Sequence, residues 1–529
     1  MKKHLLYSSI ILLMGCTASA QNRDAVKFSQ TINKDNAYRH LSVLASDEYE
    51  GRETGKKGGW MAAEYIKNQF KVLGLNGPVN GDYFQSVDMA SFGISQMLTL
   101  EGQPAEPIKD FYVVPSSVSG SGFAFNSGSI LFAGYGLNKE GYNDYEGKDI
   151  TGKVVMILKT AEPSGTTTAK TGGNINTKIK YLSDHKARAV LVIDPVIDNM
   201  PDNLKNYLQS EQMVMKTKEN LDRLNEPQGM PVIYIGTTLA NQILKGAKTT
   251  LDALKKKMTE TGNPVSQVLT VSVTASAKKT ENKIRTENVL GFLEGSDPKL
   301  KKEILVITAH YDHIGITPDA KGDDKINNGA DDDGSGTTGV LMIAEAFSKA
   351  KKAGKGPKRS ILFMTVTGEE KGLLGSEWYS EYPVFPLINT ITNLNIDMIG
   401  RGDAAHAQDN NFVYIIGSDM LSSDLDRIGK KANNDYVKMN LDERYNNRTD
   451  PNRFYYRSDH YNFAKHGIPV IFYFNGVHED YHQPGDEISK IDFPMLAKRA
   501  RLVYYTAWEL ANGAKRPAVD KNEDGTKKK

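Results

Sequence analysis

With 66 Lys and Arg against 64 Asp and Glu, this 529-residue chain is close to charge balance at a formal +2. That balance removes the electrostatic case for nucleic acid or an anionic surface as partner. A content of 39% hydrophobic and 25% charged residues suits a folded globular protein, at a length above one typical domain. The single cysteine, Cys16, leaves neither a disulfide nor a thiol nucleophile in the body of the chain.

Residues 1–4 (MKKH) are basic, and residues 5–15 (LLYSSIILLMG) form an apolar run too short for a stable membrane anchor. Ala18, Ser19 and Ala20 supply an A-x-A cleavage pattern, so residues 1–20 read as a signal peptide of an exported protein. The tetrapeptide Leu13-Met14-Gly15-Cys16 also resembles a bacterial lipobox, with the signal then ending at Cys16 and a lipid there tying the chain to a membrane. Both readings stand, and they place the protein in a bacterial periplasm or on the outer membrane. No other run approaches the roughly 18 apolar residues of a spanning helix.

From 35 to 75 the pattern is helix, Gly-rich loop, helix: AYRHLSVLAS, YEGRETGKKGG, then WMAAEYIKNQFKVLGL. Between about 91 and 280 short β-rich runs (SGSILFAGYGL, GKVVMILKT, RAVLVIDPV, PVIYIG) are separated by polar loops. After 287, strand-like runs (NVLGFLEG, ILVITAHYD, SILFMTVTGEE, NLNIDMIG, FVYIIGS, PVIFYFNG) alternate with helical ones. That alternation predicts an α/β fold, a mostly parallel central sheet sandwiched by helices. The tail from Lys515 is polar and expected to fray. Its DKNEDG begins like a calcium loop but lacks the glutamate at position twelve.

In such a fold functional groups gather at the carboxyl ends of strands. Here ILVITA runs into His310-Tyr311-Asp312-His313, SILFMTVT into Gly368-Glu369-Glu370, and NLNI into Asp397. A glycine-flanked triplet, Asp331-Asp332-Asp333, precedes a helical pattern, and Tyr481-His482 follows PVIFYF. Taken singly, each is a surface pair, a helix start or a turn. Together they bring carboxylates that would repel strongly unless a cation neutralised them. Two histidines with four carboxylates suit a borderline divalent metal, zinc above all, with cobalt or manganese as substitutes. His310 and Asp312 share one face of a strand, so the Asp312 carboxylate could orient the imidazole. Adjacent Glu369 and Glu370 cannot both point at one cation, which lets one ligate while the other serves as general base.

In their order across 286–515, H-x-D, G-A-x-D-x-x-S-G, E-E, N-x-D-M and Y-H resemble the M28 family of metallopeptidases, mostly zinc aminopeptidases. The opening HLSVLASDEYEGRETG…AAEYI…LGL is similar to that family's N-terminal helices. The resemblance implies a catalytic domain at 21–90 and 285–515, and two zinc ions per chain. His310 would hold one and His482 the other, Asp332 would bridge them, and Glu370 and Asp397 would complete the two sets. It further implies Glu369 as general base, Asp312 as support, a cis peptide after Asp332, and Tyr455 (with Tyr456 the alternative) as oxyanion donor. Asp331 and Asp333 are expected to bond backbone or tune the field. The segment 91–284 resembles an inserted protease-associated (PA) domain, on GKVVMILK and RAVLVIDP, and 516–529 is a polar tail.

The implied activity is removal of N-terminal residues from peptides with a free amine. A carboxypeptidase or dipeptidase of the M20 type uses a similar ligand set, but inserts its extra domain after the glutamate pair; here the insert lies before His310. A glutaminyl cyclase keeps a similar fold with one zinc. A non-catalytic exported binding protein would have no use for Glu369.

Overall fold

The computed structural model describes residues 21–160, 174–226 and 229–528; the signal and lipobox readings lie outside them. The chain forms two compact units, one built from the chain up to Val87 and from Arg285 onward, the other spanning Asp88–Ile284. Among the described residues no helix is long and apolar enough to cross a membrane.

The first unit is organised by an eight-stranded sheet. Its strands are β1 (Phe84–Ser86), β2 (Glu287–Leu293), β3 (Ile304–His310), β4 (Ser360–Val366), β5 (Thr390–Ile396), β6 (Phe412–Ile416), β7 (Asn440–Asp442) and β8 (Val470–Phe474). They lie in the order β1-β2-β4-β3-β5-β8-β6-β7. The central four, β4, β3, β5 and β8, are mutually parallel, while β2 joins β4 and β6 joins β8 antiparallel. Every residue of β3, β4, β5 and β8 is buried, which is why these strands read as continuous rather than alternating apolar runs.

Side chains alternate between two cores, as a period of two requires. Leu305 and Ile307 join one cluster, with helices α1 (Arg23–Ser29), α2 (Lys34–Leu44), α3 (Lys57–Leu73), α4 (Gly336–Lys352) and the 20-residue α5 (Phe493–Asn512). Ile304 and Val306 join the opposite one, with Leu362, Met364, Tyr379 and Phe472. Local chemistry sets the helix ends. The Asn33 side chain caps α2 by accepting the Asp35 and Asn36 amides, and Gly74 ends α3 in the left-handed conformation at φ 77°. The tail expected to fray is instead pinned: Arg516 donates to the carbonyls of Ile388 and Thr390, and Lys521 to that of Asp419. Its charges find backbone acceptors, which composition alone does not reveal.

The second unit carries its own sheet and its own cores. Four parallel strands at 123–133, 154–158, 189–193 and 232–235 are extended by long antiparallel ones at 89–100 and 266–283. The sequence predicts a β-rich texture here; helices at Ile175–Asp184, Thr237–Leu244 and Leu251–Thr261 also form. Within the first unit, the chain leaves and returns at adjacent positions. Ser86 pairs with Glu287, the Val87 amide donates to the Thr286 carbonyl at 2.9 Å, and the Thr286 hydroxyl donates back to Val87 at 2.8 Å.

Burial also sets how one core histidine titrates. His460 is fully buried, its ring stacked on Phe472 with centroids 4.8 Å apart, and burial pushes its imidazole down to about 3. The unfolded chain therefore binds a proton at this residue from pH 6.5 downward while the folded chain refuses it, so this contribution to stability is present above pH 6.5 and lost as pH falls toward 3. His460→Phe should remove that loss, gaining up to roughly 1.4 kcal/mol on wild type per pH unit below 6.5. Thermal melts between pH 8 and 4 test this; parallel curves for the two proteins would rule it out.

Candidate metal centre

Because β4, β3, β5 and β8 are parallel neighbours, their carboxyl ends open on one edge of the sheet. His310 is the last residue of β3, Asp397 follows β5 directly, Glu369 and Glu370 follow β4, and His482 lies in the loop after β8. Asp332 sits in the turn entering α4, and its peptide bond to Asp333 is cis.

The five residues expected to hold metal come together around Asp332. Its Oδ1 lies 3.3 Å from His310 Nε2 and its Oδ2 lies 3.1 Å from His482 Nε2. Asp397 Oδ1 is 3.7 Å from His310 Nε2, and Glu370 Oε2 is 3.1 Å from His482 Nε2. The donor atoms thus fall into two groups sharing Asp332: His310, Asp332 and Asp397, and His482, Asp332, Glu370 and His313. His482 Nε2 has no hydrogen-bond partner among the described residues, although two carboxylate oxygens stand 3.1 Å away. The three atoms converge on a point between them rather than bonding one another, which is how donors to a shared cation are arranged. Glu369 adjoins the first group, its Oε2 3.9 Å from His310 Nε2.

The electrostatics favour positive charge at this edge. Burial alone would lower the His310 pKa, but Glu369, Asp332 and Asp397 outweigh it and raise it well above the usual value. Burial would raise Asp332, yet the imidazoles of His310, His482 and His313 hold it well below the carboxylate range. Glu369 goes the other way: burial first, with Glu370, Asp397 and Asp459 nearby, raises it well above its ordinary value. Nitrogen and oxygen donors in two groups, around a point of strong negative potential, fit a pair of borderline divalent cations.

The supports are built from the backbone outward. Asp333 accepts the amides of His310 (3.1 Å), Gly336 (2.8 Å) and Met398 (3.1 Å). Asp331 accepts the Gly400 amide at 2.6 Å and the Asn475 side chain at 2.9 Å, with His478 Nε2 at 3.2 Å. The flanking aspartates thus tie the turn down while Asp332 faces the cleft. Asp486 accepts the amides of both Asp331 and Asp332. Asp397 Oδ2 receives the Ser458 hydroxyl at 2.6 Å, at the end of a run of bonds of one polarity from Asn393 through Thr308 and Asn395.

Two expectations are corrected. His310 Nδ1 meets the backbone carbonyl of Asp312 at 3.0 Å, while the Asp312 carboxylate is 3.9 Å away. A carbonyl only accepts, so Nδ1 carries the hydrogen and Nε2 is the nitrogen turned toward the cleft. The Asp312 carboxylate instead accepts the Thr54 hydroxyl (2.7 Å) and the Glu369 amide (3.2 Å), linking the imidazole's strand to the glutamate loop. Tyr455 and its alternative Tyr456 line a separate cavity with Leu421, Arg448 and Tyr461, not the recess at His310. The tyrosine lining the recess above His310, Asp332, Glu369 and Asp397 is Tyr481, whose neighbour His482 holds φ 56°.

Arg52 is a further functional residue, one with no motif to mark it. It is 1% exposed, and all five of its N–H donors go to backbone carbonyls, those of Tyr311, Leu44, Asn328, Gly329 and Asp332. Next to it Gly51 (φ 65°) passes so near the chain that a Cβ would lie 2.5 Å from the Asn327 carbonyl. The loop also carries Glu50, Glu53, Lys56 and Lys57, so nothing in the sequence alone singles out Arg52.

Residues 288–507 match the family described as Peptidase family M28. A probable leucine aminopeptidase of Arthroderma otae is 31% identical over 244 residues, covering 45% of this chain and 61% of that protein. A probable zinc metalloprotease of Pyrenophora teres f. teres is 27% identical over 323 residues, covering 53% and 63%. The chain thus spans less than two thirds of the length of these curated relatives. Among solved structures, an aminopeptidase from Aneurinibacillus sp. strain AM-1 aligns over 94% of this chain and 98% of its own, at 18% identity and a TM-score of 0.49. The region that supplies all five converging donors, residues 288–507, is a peptidase family M28 domain.

Proposed function

We propose that the protein is an exported, metal-dependent exopeptidase, an aminopeptidase that removes N-terminal residues from peptides at a centre holding two zinc ions. The observation that supports this most directly is one carboxylate more than the two donor groups need. Glu369 stands beside them, facing the recess, and belongs to neither. His310, Asp332 and Asp397 would hold one cation, and Asp332, Glu370 and His482 the other. Bound there, such a pair supplies Lewis acidity and an acidified water.

The remaining chemistry belongs to side chains. Glu369, its proton affinity raised by burial, takes the proton of the attacking water and delivers it to the leaving amine. Burial and the nearby carboxylates of Asp332, Glu370 and Asp397 keep the Tyr481 hydroxyl protonated, so it can donate to the carbonyl oxygen as charge develops there. A floor of carboxylates favours a cationic α-amine over an α-carboxylate, which supports trimming from the N-terminus. Phe454, Phe472, Phe474, Met398 and Val477 wall the recess and suit an apolar first side chain, in keeping with the relative described as a probable leucine aminopeptidase.

Export rests on the basic start, the short apolar run and the A-x-A pattern of residues 1–20, with lipid at Cys16 as the other outcome of the same signal. For the inserted unit we retain the PA-like reading, since both runs that carry the resemblance lie in its parallel strands.

Aminoacyl-nitroanilides should be hydrolysed, the activity should vanish with a chelator, and added zinc should restore it. No metal-dependent release from these, from dipeptides or from carboxyl-blocked peptides would overturn the proposal. Glu369→Gln should lower kcat by roughly 10²–10⁴-fold while both cations still bind; retained turnover would remove Glu369 from the mechanism. Tyr481→Phe should lower kcat by roughly 10²–10³-fold with little change in KM. If Tyr455→Phe did this and Tyr481→Phe did not, the assignment of the tyrosines would be reversed.

A further inference from the structure

His313 is fully buried three residues beyond His310, and the mechanism above gives it no task. Its Nδ1 lies 2.7 Å from Glu370 Oε1 and 3.8 Å from Asp332 Oδ2. The other oxygen of Glu370, Oε2, faces His482 at 3.1 Å. The two oxygens of one carboxylate are therefore divided between two histidines. A separation of 2.7 Å is that of a charge-assisted hydrogen bond. The carboxylate can only accept, so Nδ1 carries the hydrogen and keeps no lone pair for a cation.

The ring cannot move away. The His313 amide donates to the Arg52 carbonyl at 3.2 Å, which anchors its backbone to the buried arginine. Its Cδ2 also packs against Gly329 (φ 55°), where a Cβ would lie only 2.5 Å from it.

We propose that His313 is a positioning residue for the second cation. Its Nδ1–H fixes Glu370 Oε1, so that Oε2 stays turned toward the point shared with Asp332 and His482. This rests on the two-cation reading above. Without His313 the Glu370 carboxylate is free to rotate, and the second cation meets a donor set that must first be ordered. The first group contains no atom that His313 holds and keeps its affinity. Partners that orient a ligand in this way are worth about 10–100-fold in metal affinity.

The test is zinc binding by the full chain, stripped of metal, in competition with a chromophoric chelator. Wild type, His313→Ala and His313→Asn are compared, and each metal-free melting temperature is recorded. Asparagine places an N–H where the imidazole Nδ1–H was. The expected result is two zinc ions per chain in all three. In His313→Ala one is weakened by 10–100-fold and the other by less than threefold; in His313→Asn both stay within threefold of wild type. Cobalt uptake read in the visible should give the same final spectrum for wild type and His313→Ala, reached at higher cobalt in the variant.

Unchanged affinity for both ions in His313→Ala would overturn the proposal, as would an equal fall at both sites. A changed cobalt spectrum would make His313 a direct ligand, which also overturns it, and so would a His313→Asn variant as weak as the alanine. Should His313→Ala fail to fold, the asparagine variant decides. A wild-type chain that takes up fewer than two ions would instead sink the two-cation reading, independently of His313.

Discussion

Carboxylates gathered at one buried sheet edge set the terms for the rest of the first unit. Asp312, Asp331, Asp333, Asp459 and Asp486 are fully buried, and Asp332 nearly so. Two like charges 4 Å apart cost about 4 kcal/mol at an effective dielectric of 20, and withdrawing each from water costs more. The fold answers in part with a buried arginine. Arg52 spends every donor on backbone carbonyls, so its charge is tied to no single partner and acts through space on Asp332, Asp333, Asp486 and Asp312. Imidazoles supply part of the remainder, and divalent cations would supply the rest. Arg52 thus does two things with one side chain: it stitches the segment before α3 to the two loops that carry His313 and Asp332, and it lowers the energy of their negative charge.

The same constraint explains why the polar groups near the centre have so little freedom. Each flanking aspartate of the triplet is bonded on both oxygens. The run from Asn393 to Asp397 has a single polarity, because an amide donates at one end and a carboxylate accepts at the other. In a low-dielectric interior an unsatisfied member of such a run is costly, so the ligands are held where they lie by groups that would lose bonds if they turned.

What was legible in the sequence was what repeats or clusters locally. Buried strands announce themselves as apolar runs: His310, Glu370 and Asp397 stand at or just after such runs and Asp332 in a glycine-flanked turn, while His482, eight residues past β8, is picked out by the Y-H motif rather than by a strand rule. What was not legible depends on partners far apart in the chain or on which way a side chain leaves a bend. Arg52 meets carbonyls more than 250 residues away, and His313 meets Glu370 across 57. Asp312 sat at the expected spacing from His310, yet its carbonyl rather than its carboxylate reached the imidazole. Tyr455 and Tyr481 are equally aromatic and equally close to a motif; that one lines a separate cavity and the other the recess is written in neither motif.

The meeting of Val87 with Thr286 bears on how the chain came to hold two units. Whatever lies between them starts and finishes one hydrogen bond apart, so the host sheet sees the same boundary whether a tight turn or a whole folded body intervenes. Loop-closure entropy grows only slowly with length, and a module whose own ends are near each other adds no tension to β1 and β2. The junction behaves as a socket: the length of chain between Val87 and Thr286 leaves the register of β1 on β2 unchanged.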